Sequence, residues 1–178
     1  MVLTLMHEKS ESRKPKAERR ALDTDIVGVS EVWGPLSDIH TIVDIGTGSG
    51  CMAITLACEL PEINVMATDI SAAALNSART NAKRHRVGER ISFLQGNLLE
   101  PITELKNPFL IVSNPPYIPK GEKLPIDSTE YEPKIALRAG PDGLAVLRPL
   151  LHAARTHPAC RGFVLECRED QENALRKI

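Results

Sequence analysis

The sequence predicts an α/β fold in which helices cover both faces of a doubly wound, mainly parallel sheet. One observation is that short apolar runs, typical of strands, alternate with helical patterns along most of the chain. A second is that the runs are rich in β-branched residues, as expected for strands buried on both faces. A third is that candidate ligand-binding residues follow the strands directly, where open α/β sheets bind their ligands.

Composition is that of an ordinary globular protein. The 178 residues are 42% hydrophobic and 25% charged, which predicts one domain with a sizeable core. The formal net charge of −1 gives no overall basic surplus that would favour a nucleic-acid partner. The longest apolar runs are too short to span a membrane, and the opening stretch is too short for a signal peptide, so we expect a cytoplasmic protein.

The cysteines give no sign of a metal site or a disulfide scaffold. None of the four has the close CxxC spacing of a zinc site, and their number is low for a disulfide scaffold in a chain of this length. We therefore predict reduced, structural thiols and no metal. The residues concerned are Cys51, Cys58, Cys160 and Cys167.

Residues 1–38 are expected to form a charged tail and a lead-in, and residues 39–178 the folded domain. Residues 7–20 are crowded with charge and carry no apolar periodicity, which indicates a mobile tail or a poorly packed helix. Scattered apolar residues between Ile26 and Leu36 precede a turn at Gly34 and Pro35, and we expect them to pack on the domain.

Strands and helices follow in the order β-α-β-α-β-β-α-β-α. Strands are predicted at residues 41–45, 64–68, 91–95, 110–113 and 162–167. Helices are predicted at residues 51–60, 71–86, 142–157 and 169–178, with breaks at Pro61 and Gly88. The proline-punctuated stretch from residue 118 to 141 is too long for a bare connector, and loops of that length are usually functional.

A glycine-rich turn links the first predicted strand to the first helix. Its glycines permit positive φ and close approach to bare backbone, and the helix amino end favours a carboxylate or phosphate. The GxGxG spacing argues against the GxGxxG pattern of nicotinamide dinucleotide sites. Any strand-to-helix turn can use glycine, which remains an alternative. The candidate residues are Asp44, Gly46, Thr47, Gly48, Ser49 and Gly50.

Asp69 stands just past the second predicted strand, 23 residues after Gly46. A carboxylate in that position can accept hydrogen bonds from both hydroxyls of a ribose. A solvated carboxylate at a strand end is the alternative. Together with the glycine-rich turn, Asp69 favours a ligand that resembles adenosine.

The fourth predicted strand runs into Asn114-Pro115-Pro116-Tyr117, here called the NPPY corner. The two prolines end the strand and hold the backbone extended. The Asn114 side-chain oxygen and a backbone carbonyl can accept both hydrogens of an NH2 group, while Tyr117 can stack on the flat group that bears it. A plain Asn-Pro turn is the alternative.

With these motifs the chain resembles the Rossmann-like, class I methyltransferases that depend on S-adenosyl-L-methionine. More narrowly, it resembles the HemK/PrmC-type glutamine methyltransferases that act on peptide chain release factors. NPPY also occurs in enzymes that methylate amino groups of adenine or guanine, whereas the segments YEP and PDGL are more typical of the glutamine-modifying group. The matching residues are 43–50, 67–71, 81–82, 114–118, 131–133, 136–137, 140–144 and 165–166.

The resemblance implies a role for each candidate residue. Residues 46–50 would contact the methionine part of S-adenosyl-L-methionine, Asp69 its ribose, and Asn97 and Leu98 its adenine. The NPPY corner would hold the target amide, with Asn114, Pro115 and Tyr117 orienting it for reaction and Pro116 keeping the corner rigid. The family usually has Asp at the position of Asn97, whose side-chain oxygen can still accept from the adenine amino group.

The resemblance also implies a protein partner, a peptide chain release factor, with nucleic acid the less favoured substrate. The family carries a helical amino-terminal domain, a PRPxTE segment and final strands, none of which is found in this sequence. We therefore expect a core shortened at both ends, whose fifth strand forms a sheet edge unless something covers it. Two alternatives stay open: methylation of an exocyclic amine of a nucleic-acid base, and a non-catalytic remnant.

Other charged residues are expected to be structural. We expect the cations around the end of the second helix to complement its dipole rather than to bind RNA. Two histidines, His152 and His157, are predicted at the surface. The cations are Arg79, Lys83, Arg84, Arg86 and Arg90.

Overall fold

A single six-stranded sheet organises the protein in the computed structural model, which describes residues 26–33, 35–122 and 134–178. The strand order is β1-β6-β5-β2-β3-β4. Strands β2 to β6 are parallel, and β1 runs antiparallel to β6. The predicted doubly wound, mainly parallel fold is confirmed. The strands are β1 (Ile26–Val32), β2 (Thr41–Ile45), β3 (Asn64–Asp69), β4 (Ile91–Gln95), β5 (Phe109–Ser113) and β6 (Cys160–Arg168).

Helices connect the strands with bounds close to those predicted, with two differences. The predicted helix from residue 142 begins only at Leu147, because Asp142 and Gly143 form a turn in which Asp142 Oδ1 accepts the Leu144 N–H at 3.0 Å. A one-turn helix over Lys134–Leu137 was not predicted. The helices are α1 (Cys51–Glu59), α2 (Ala72–Arg84), α3 (Lys134–Leu137), α4 (Leu147–Thr156) and α5 (Glu169–Leu175).

Two apolar cores lie on the two faces of the sheet. Strand β2 contributes to both, because Val43 and Ile45 point to one face and Ile42 to the other. Helices α4 and α5 cover the first face, and α1 and α2 cover the second. All five residues of β2 are buried, which explains the continuous apolar character of this central strand.

Strand β1 was not predicted, and it changes the expected edge of the sheet. It pairs with β6 along its whole length, from Ile26 opposite Arg168 to Val32 opposite Gly162. Beyond it, Trp33 Nε1 donates to the Cys160 carbonyl at 2.9 Å, and its ring meets Phe163 edge-on. β6 is therefore not the edge of the sheet, because β1 covers it, which is the exception that the expectation allowed. The predicted charged tail at residues 7–20 and the turn residue Gly34 lie outside the described residues.

Arg90 and Arg79 have structural contacts of their own. The Arg90 guanidinium donates to backbone carbonyls at the end of α1, so it caps the preceding helix rather than α2, whose last turn holds Lys83 and Arg84. Arg79 lies over the Phe93 ring, 5.4 Å from its centre.

Two smaller expectations need correction. His157 is half-buried rather than on the surface, because its ring packs edge-on against Phe109 and its Nε2 lies 3.1 Å from the Ile102 carbonyl. Cys160 and Cys167 are buried thiols as expected, whereas Cys51 and Cys58 are exposed on α1.

Candidate functional site

The predicted site residues gather where the strand order reverses. The chain passes from β2 to β3 on one side, whereas β5 lies on the other side of β2, and ligands bind at such switch points in open α/β sheets. Asp44 pairs with Val112, and Ser113 Oγ donates to the Ile45 carbonyl at 2.6 Å. The two strands therefore end level, so the glycine-rich turn and the NPPY corner leave the sheet side by side.

The glycine-rich turn exposes bare backbone at Gly46 and Gly48. Both have positive φ, +70° and +57°, and a Cβ built on either meets no atom of the described residues within 4 Å. At Gly50, φ is +86° and a Cβ would lie 3.0 Å from that of Ala78. The lack of a side chain at Gly50 thus lets α2 pack closely against the turn, whereas no described residue packs against the Cβ positions of Gly46 and Gly48. Thr47 is buried and Ser49 exposed, and the Ser49 carbonyl accepts from Asn81.

Asp44 supports the turn from beneath. Its Oδ2 accepts from Thr47 Oγ1 at 2.7 Å and from the Ala53 N–H at 3.1 Å, joining the turn to the start of α1. Its Oδ1 is buried and has no hydrogen-bond partner among the described residues. Burial raises the pKa of Asp44 from 3.8 to about 6, although its two hydrogen bonds offset part of that rise. Asp44 is therefore a buried carboxyl group, one oxygen of which makes no hydrogen bond within the described part of the chain.

Asp69 faces the same turn from the end of β3. Its Oδ2 accepts the Gly48 N–H at 2.9 Å, and its Oδ1 accepts the Ser71 N–H at 2.8 Å. A carboxylate offers about four acceptor positions, so each oxygen retains capacity for a further donor. The residue is half-buried, which leaves it accessible from the open side of the turn.

Asn97 and Leu98 form the third side of the site, after β4. The Gly96 N–H donates to the Asp69 carbonyl at 3.1 Å, which holds this turn against the end of β3. Asn97 is exposed, and its N–H donates to Glu100 Oε2 at 3.2 Å. Leu98 has a φ of +49°, which is unusual for a residue with a side chain. Backbone strain of this kind concentrates at ligand sites.

The NPPY corner contains an exposed side chain, Asn114, and a side chain held in place by a hydrogen bond, Tyr117. Asn114 is exposed, and across the described ranges its side chain makes no hydrogen bond to another residue. Pro115 is buried and Pro116 half-buried. The Tyr117 hydroxyl donates to Glu166 Oε1 at 3.0 Å, and the Tyr117 carbonyl accepts from Gln171 Nε2 at 2.8 Å. The corner therefore presents an available amide beside a fixed aromatic ring.

Several supporting residues have no role in the predictions made from sequence. Glu166 and Gly143 lie in the matching segments, but only the fold shows that they contact the NPPY corner. The sequence carries no local signal for Gln171, because its partner Tyr117 is 54 positions away. Thr68 Oγ1 is buried with no partner among the described residues. The predicted segment at residues 131–133 lies outside those residues.

Every predicted site residue lies at the carboxyl edge of the sheet, either near the ends of β2 and β3 (Asp44 and Asp69) or in the turns that follow β2, β4 and β5. No group of three or more His, Cys, Asp or Glu that could hold a metal ion occurs in the described part of the chain. Among the same residues, no helix is both long and apolar enough to cross a membrane.

Comparison with known proteins gives a family match and a set of relatives. Residues 35–127 match the methyltransferase small domain family. The chain is 43% identical over 161 residues to a release factor glutamine methyltransferase of Moorella thermoacetica, covering 88% of this chain and 56% of that protein. The corresponding protein of Staphylococcus aureus is 43% identical over 148 residues, covering 80% of this chain and 52% of that protein.

Longer relatives and a solved structure complete the comparison. A bifunctional methyltransferase of Rickettsia prowazekii is 49% identical over 142 residues, which cover 78% of this chain and 27% of that protein. The chain thus spans about half the length of the release factor relatives and about a quarter of the bifunctional one. Among solved structures, the hMettl16 catalytic domain in complex with a MAT2A 3′UTR hairpin has a TM-score of 0.59 to this chain. The match covers 78% of this chain and 54% of the hMettl16 chain at 18% identity, so it shows a similarity of fold alone.

Proposed function

The chain belongs to the methyltransferase small domain family, and from this premise we propose that it transfers a methyl group from S-adenosyl-L-methionine to a glutamine side chain of a protein. The observation that carries the proposal is the NPPY corner, which stands level with the glycine-rich turn and leaves the Asn114 amide exposed. An acceptor for an amine and a surface for a cofactor thereby face one switch point of the sheet.

The residues present fit an adenosyl cofactor. Gly46 and Gly48 leave room where a ligand could approach the backbone, as the methionine part would require. Asp69 retains acceptor capacity for ribose hydroxyls, and Asn97 and Leu98 would border the adenine. Asp44 Oδ1 is buried and makes no hydrogen bond with the described residues, and a positive charge bound near the turn would favour the ionised form of this carboxylate.

S-adenosyl-L-methionine supplies, when bound, an electrophilic methyl group carried on a positively charged sulfur. The protein must then orient a poor nucleophile, since the lone pair of an amide nitrogen is delocalised. Asn114 Oδ1 and the Pro115 carbonyl would accept both N–H bonds of the target amide, and Tyr117 would stack on its plane. These contacts favour a more tetrahedral nitrogen and require no strong base beforehand, because the methylated amide can lose its proton to water afterward.

The relatives support the proposed substrate class. Release factor glutamine methyltransferases share 43% identity with this chain over most of its length, which supports a glutamine in a peptide chain release factor as the target. The formal net charge of −1 gives no general attraction for nucleic acid.

The decisive experiment supplies the whole chain with methyl-labelled S-adenosyl-L-methionine and either a bacterial peptide chain release factor or RNA. We expect label in the release factor, and mass spectrometry should locate one added methyl group on a glutamine side chain. Label found only in RNA would overturn the glutamine assignment. Calorimetry that detects no S-adenosyl-L-methionine binding by folded protein would overturn the enzymatic assignment altogether.

A pair of asparagine variants tests the amine contact. Asn114→Ala should lower turnover by roughly a hundredfold or more while largely sparing cofactor affinity, because it removes one of the two oriented acceptors. Asn173→Ala, at an exposed position of α5, is the matched control and should behave as wild type. Equal turnover in the two variants would contradict the role given to Asn114.

A further inference from the structure

Tyr117 is held at both ends by the carboxyl-terminal part of the chain. Its hydroxyl donates to Glu166 Oε1, 3.0 Å away near the end of β6. Its carbonyl accepts from Gln171 Nε2, 2.8 Å away in the first turn of α5. These partners lie 49 and 54 positions from Tyr117 in the sequence, so the fold alone brings them together.

Gln171 is a buried amide whose nitrogen and oxygen are both hydrogen-bonded. Gln171 is only 5% exposed, and burying an amide costs free energy unless its polar atoms form hydrogen bonds. One N–H bond serves the Tyr117 carbonyl, and Nε2 also donates to the Asp142 carbonyl at 3.1 Å. Its Oε1 accepts the Arg168 N–H at 3.2 Å. Gln171 therefore joins α5, the turn at Asp142 and the NPPY corner.

Gly143 shows how closely that turn is pressed against the corner. A Cβ at Gly143 would lie 2.1 Å from the Tyr117 carbonyl oxygen and 2.4 Å from Gln171 Nε2. Its φ of +74° is also one that side-chain-bearing residues rarely adopt. Asp142 is fixed in turn by Leu144 N–H and by Arg148 Nη1 at 2.6 Å. A side chain at Gly143 would overlap both Tyr117 and Gln171, so this contact could not form as it stands.

We infer that Glu166 and Gln171 are positioning residues that set the orientation of Tyr117 for its target amide. The inference rests on the proposed function, in which Asn114, Pro115 and Tyr117 touch the substrate. A ring that must stack on a flat group at a fixed distance gains from being held before the substrate arrives. Glu166 fixes the far end of the ring, and Gln171 fixes the backbone from which the ring extends.

Substitutions at Glu166 separate positioning from general support. Glu166→Leu removes the acceptor of the Tyr117 hydroxyl and should lower kcat by about tenfold to a hundredfold, with the S-adenosyl-L-methionine Kd unchanged. Glu166→Gln keeps an oxygen acceptor and should retain most of the turnover. Glu172→Gln, on the neighbouring helix, is the matched control. A loss of cofactor affinity that parallels the loss of kcat would overturn the inference.

A double-mutant cycle tests whether Glu166 acts through Tyr117. Tyr117→Phe keeps the ring but removes the hydroxyl, so it should lose about as much kcat as Glu166→Leu. The double variant should lose no more than either single one. Additive losses would mean that Glu166 acts elsewhere and would overturn the inference.

The Gln171→Glu variant, which places a carboxylate against the Tyr117 and Asp142 carbonyls, should likewise lower kcat more than it raises KM.

A measurement that needs no turnover keeps the inference separate from the proposed function. The chain has only two tyrosines, Tyr117 and Tyr131, so a carbon-13 tyrosine label gives a simple spectrum that Tyr117→Phe assigns. The Tyr117 ring signal should shift in Glu166→Leu and remain near its place in Glu166→Gln. If the wild-type protein methylates no glutamine, the proposed function fails, but the spectrum still tests whether Glu166 positions the Tyr117 ring. An unmoved signal in Glu166→Leu would overturn the positioning inference.

Discussion

Gly48 donates its backbone N–H to Asp69 Oδ2 at 2.9 Å, so the glycine-rich turn is bound to the end of the neighbouring strand. The turn is bound a second time through Gly46 and Thr47, whose N–H groups both donate to the Thr68 carbonyl at 2.9 Å. These hydrogen bonds, all within the protein, hold the turn in its shape. The backbone is thus preorganised, and the space beside Gly46 and Gly48 is a consequence of the fold.

Two glycines of the turn should respond differently to alanine. Both Gly48→Ala and Gly50→Ala impose positive φ on a side chain, at a cost of about 1–2 kcal/mol. Gly48→Ala also places a methyl group in the proposed cofactor space and should weaken S-adenosyl-L-methionine binding by about tenfold or more. Gly50→Ala instead meets Ala78 and should lose about 1 kcal/mol more stability than Gly48→Ala. Calorimetry and urea unfolding measure the two effects, and the reverse ranking would contradict this account of the turn.

Gly143 and Gly121 form a second matched pair, at the NPPY corner. Both have positive φ, but a Cβ at Gly143 would lie 2.1 Å from the Tyr117 carbonyl oxygen, whereas one at Gly121 meets none of the residues that the structure describes within 4 Å. Gly143→Ala should therefore displace Tyr117 and lower kcat by about a hundredfold, while Gly121→Ala should show only the cost of its backbone strain. Steady-state kinetics on both variants checks the difference. Similar kcat values would show that the contact with Tyr117 does not control turnover.

Asp44 should make stability depend on pH. Burial raises its pKa to about 6 from the ordinary 3.8, so the folded chain binds this proton more tightly than the unfolded chain does. The resulting stabilisation is fully present below about pH 4 and is lost as the pH rises through about 6, a difference of about 3 kcal/mol. Asp44→Asn cannot titrate, so its free energy of unfolding relative to wild type should increase between pH 4.5 and 7.5. Urea unfolding of both proteins at each pH provides the measurement, and a constant difference would contradict the raised pKa.

The sequence predicted correctly those parts of the fold that depend on residues close together in the chain. Proline or glycine follows the ends of β2, β5 and α1 within a few residues, so the bounds of these elements follow from neighbouring positions. The order of strands and helices then implies a parallel sheet, which brings Asp44, Asp69 and Asn114 to one edge. For this reason the candidate site and its family could be predicted before the geometry was known, and the family match confirms the methyltransferase assignment.

The parts that sequence missed depend on contacts between distant positions. Val27 and Val29 alternate with Gly28 and Ser30, a pattern too short to reveal that β1 pairs with β6, more than a hundred positions away. Gln171 and Glu166 are ordinary helix and strand residues until the fold brings them to Tyr117. The late start of α4 has the same origin, because the turn before it packs against the NPPY corner.

The role of β1 can be tested with adjacent residues that point to opposite faces of the strand. Val29 is 3% exposed and packs in the core that includes Phe163, whereas Ser30 is exposed. Val29→Asp should lower the free energy of unfolding by about 3 kcal/mol or more, because it replaces a buried apolar group with a charge. Ser30→Asp should change it by about 0.5 kcal/mol or less. Fluorescence of Trp33, the only tryptophan, follows unfolding from the end of β1 itself. Equal stability of the two variants would mean that β1 does not cover β6 in solution.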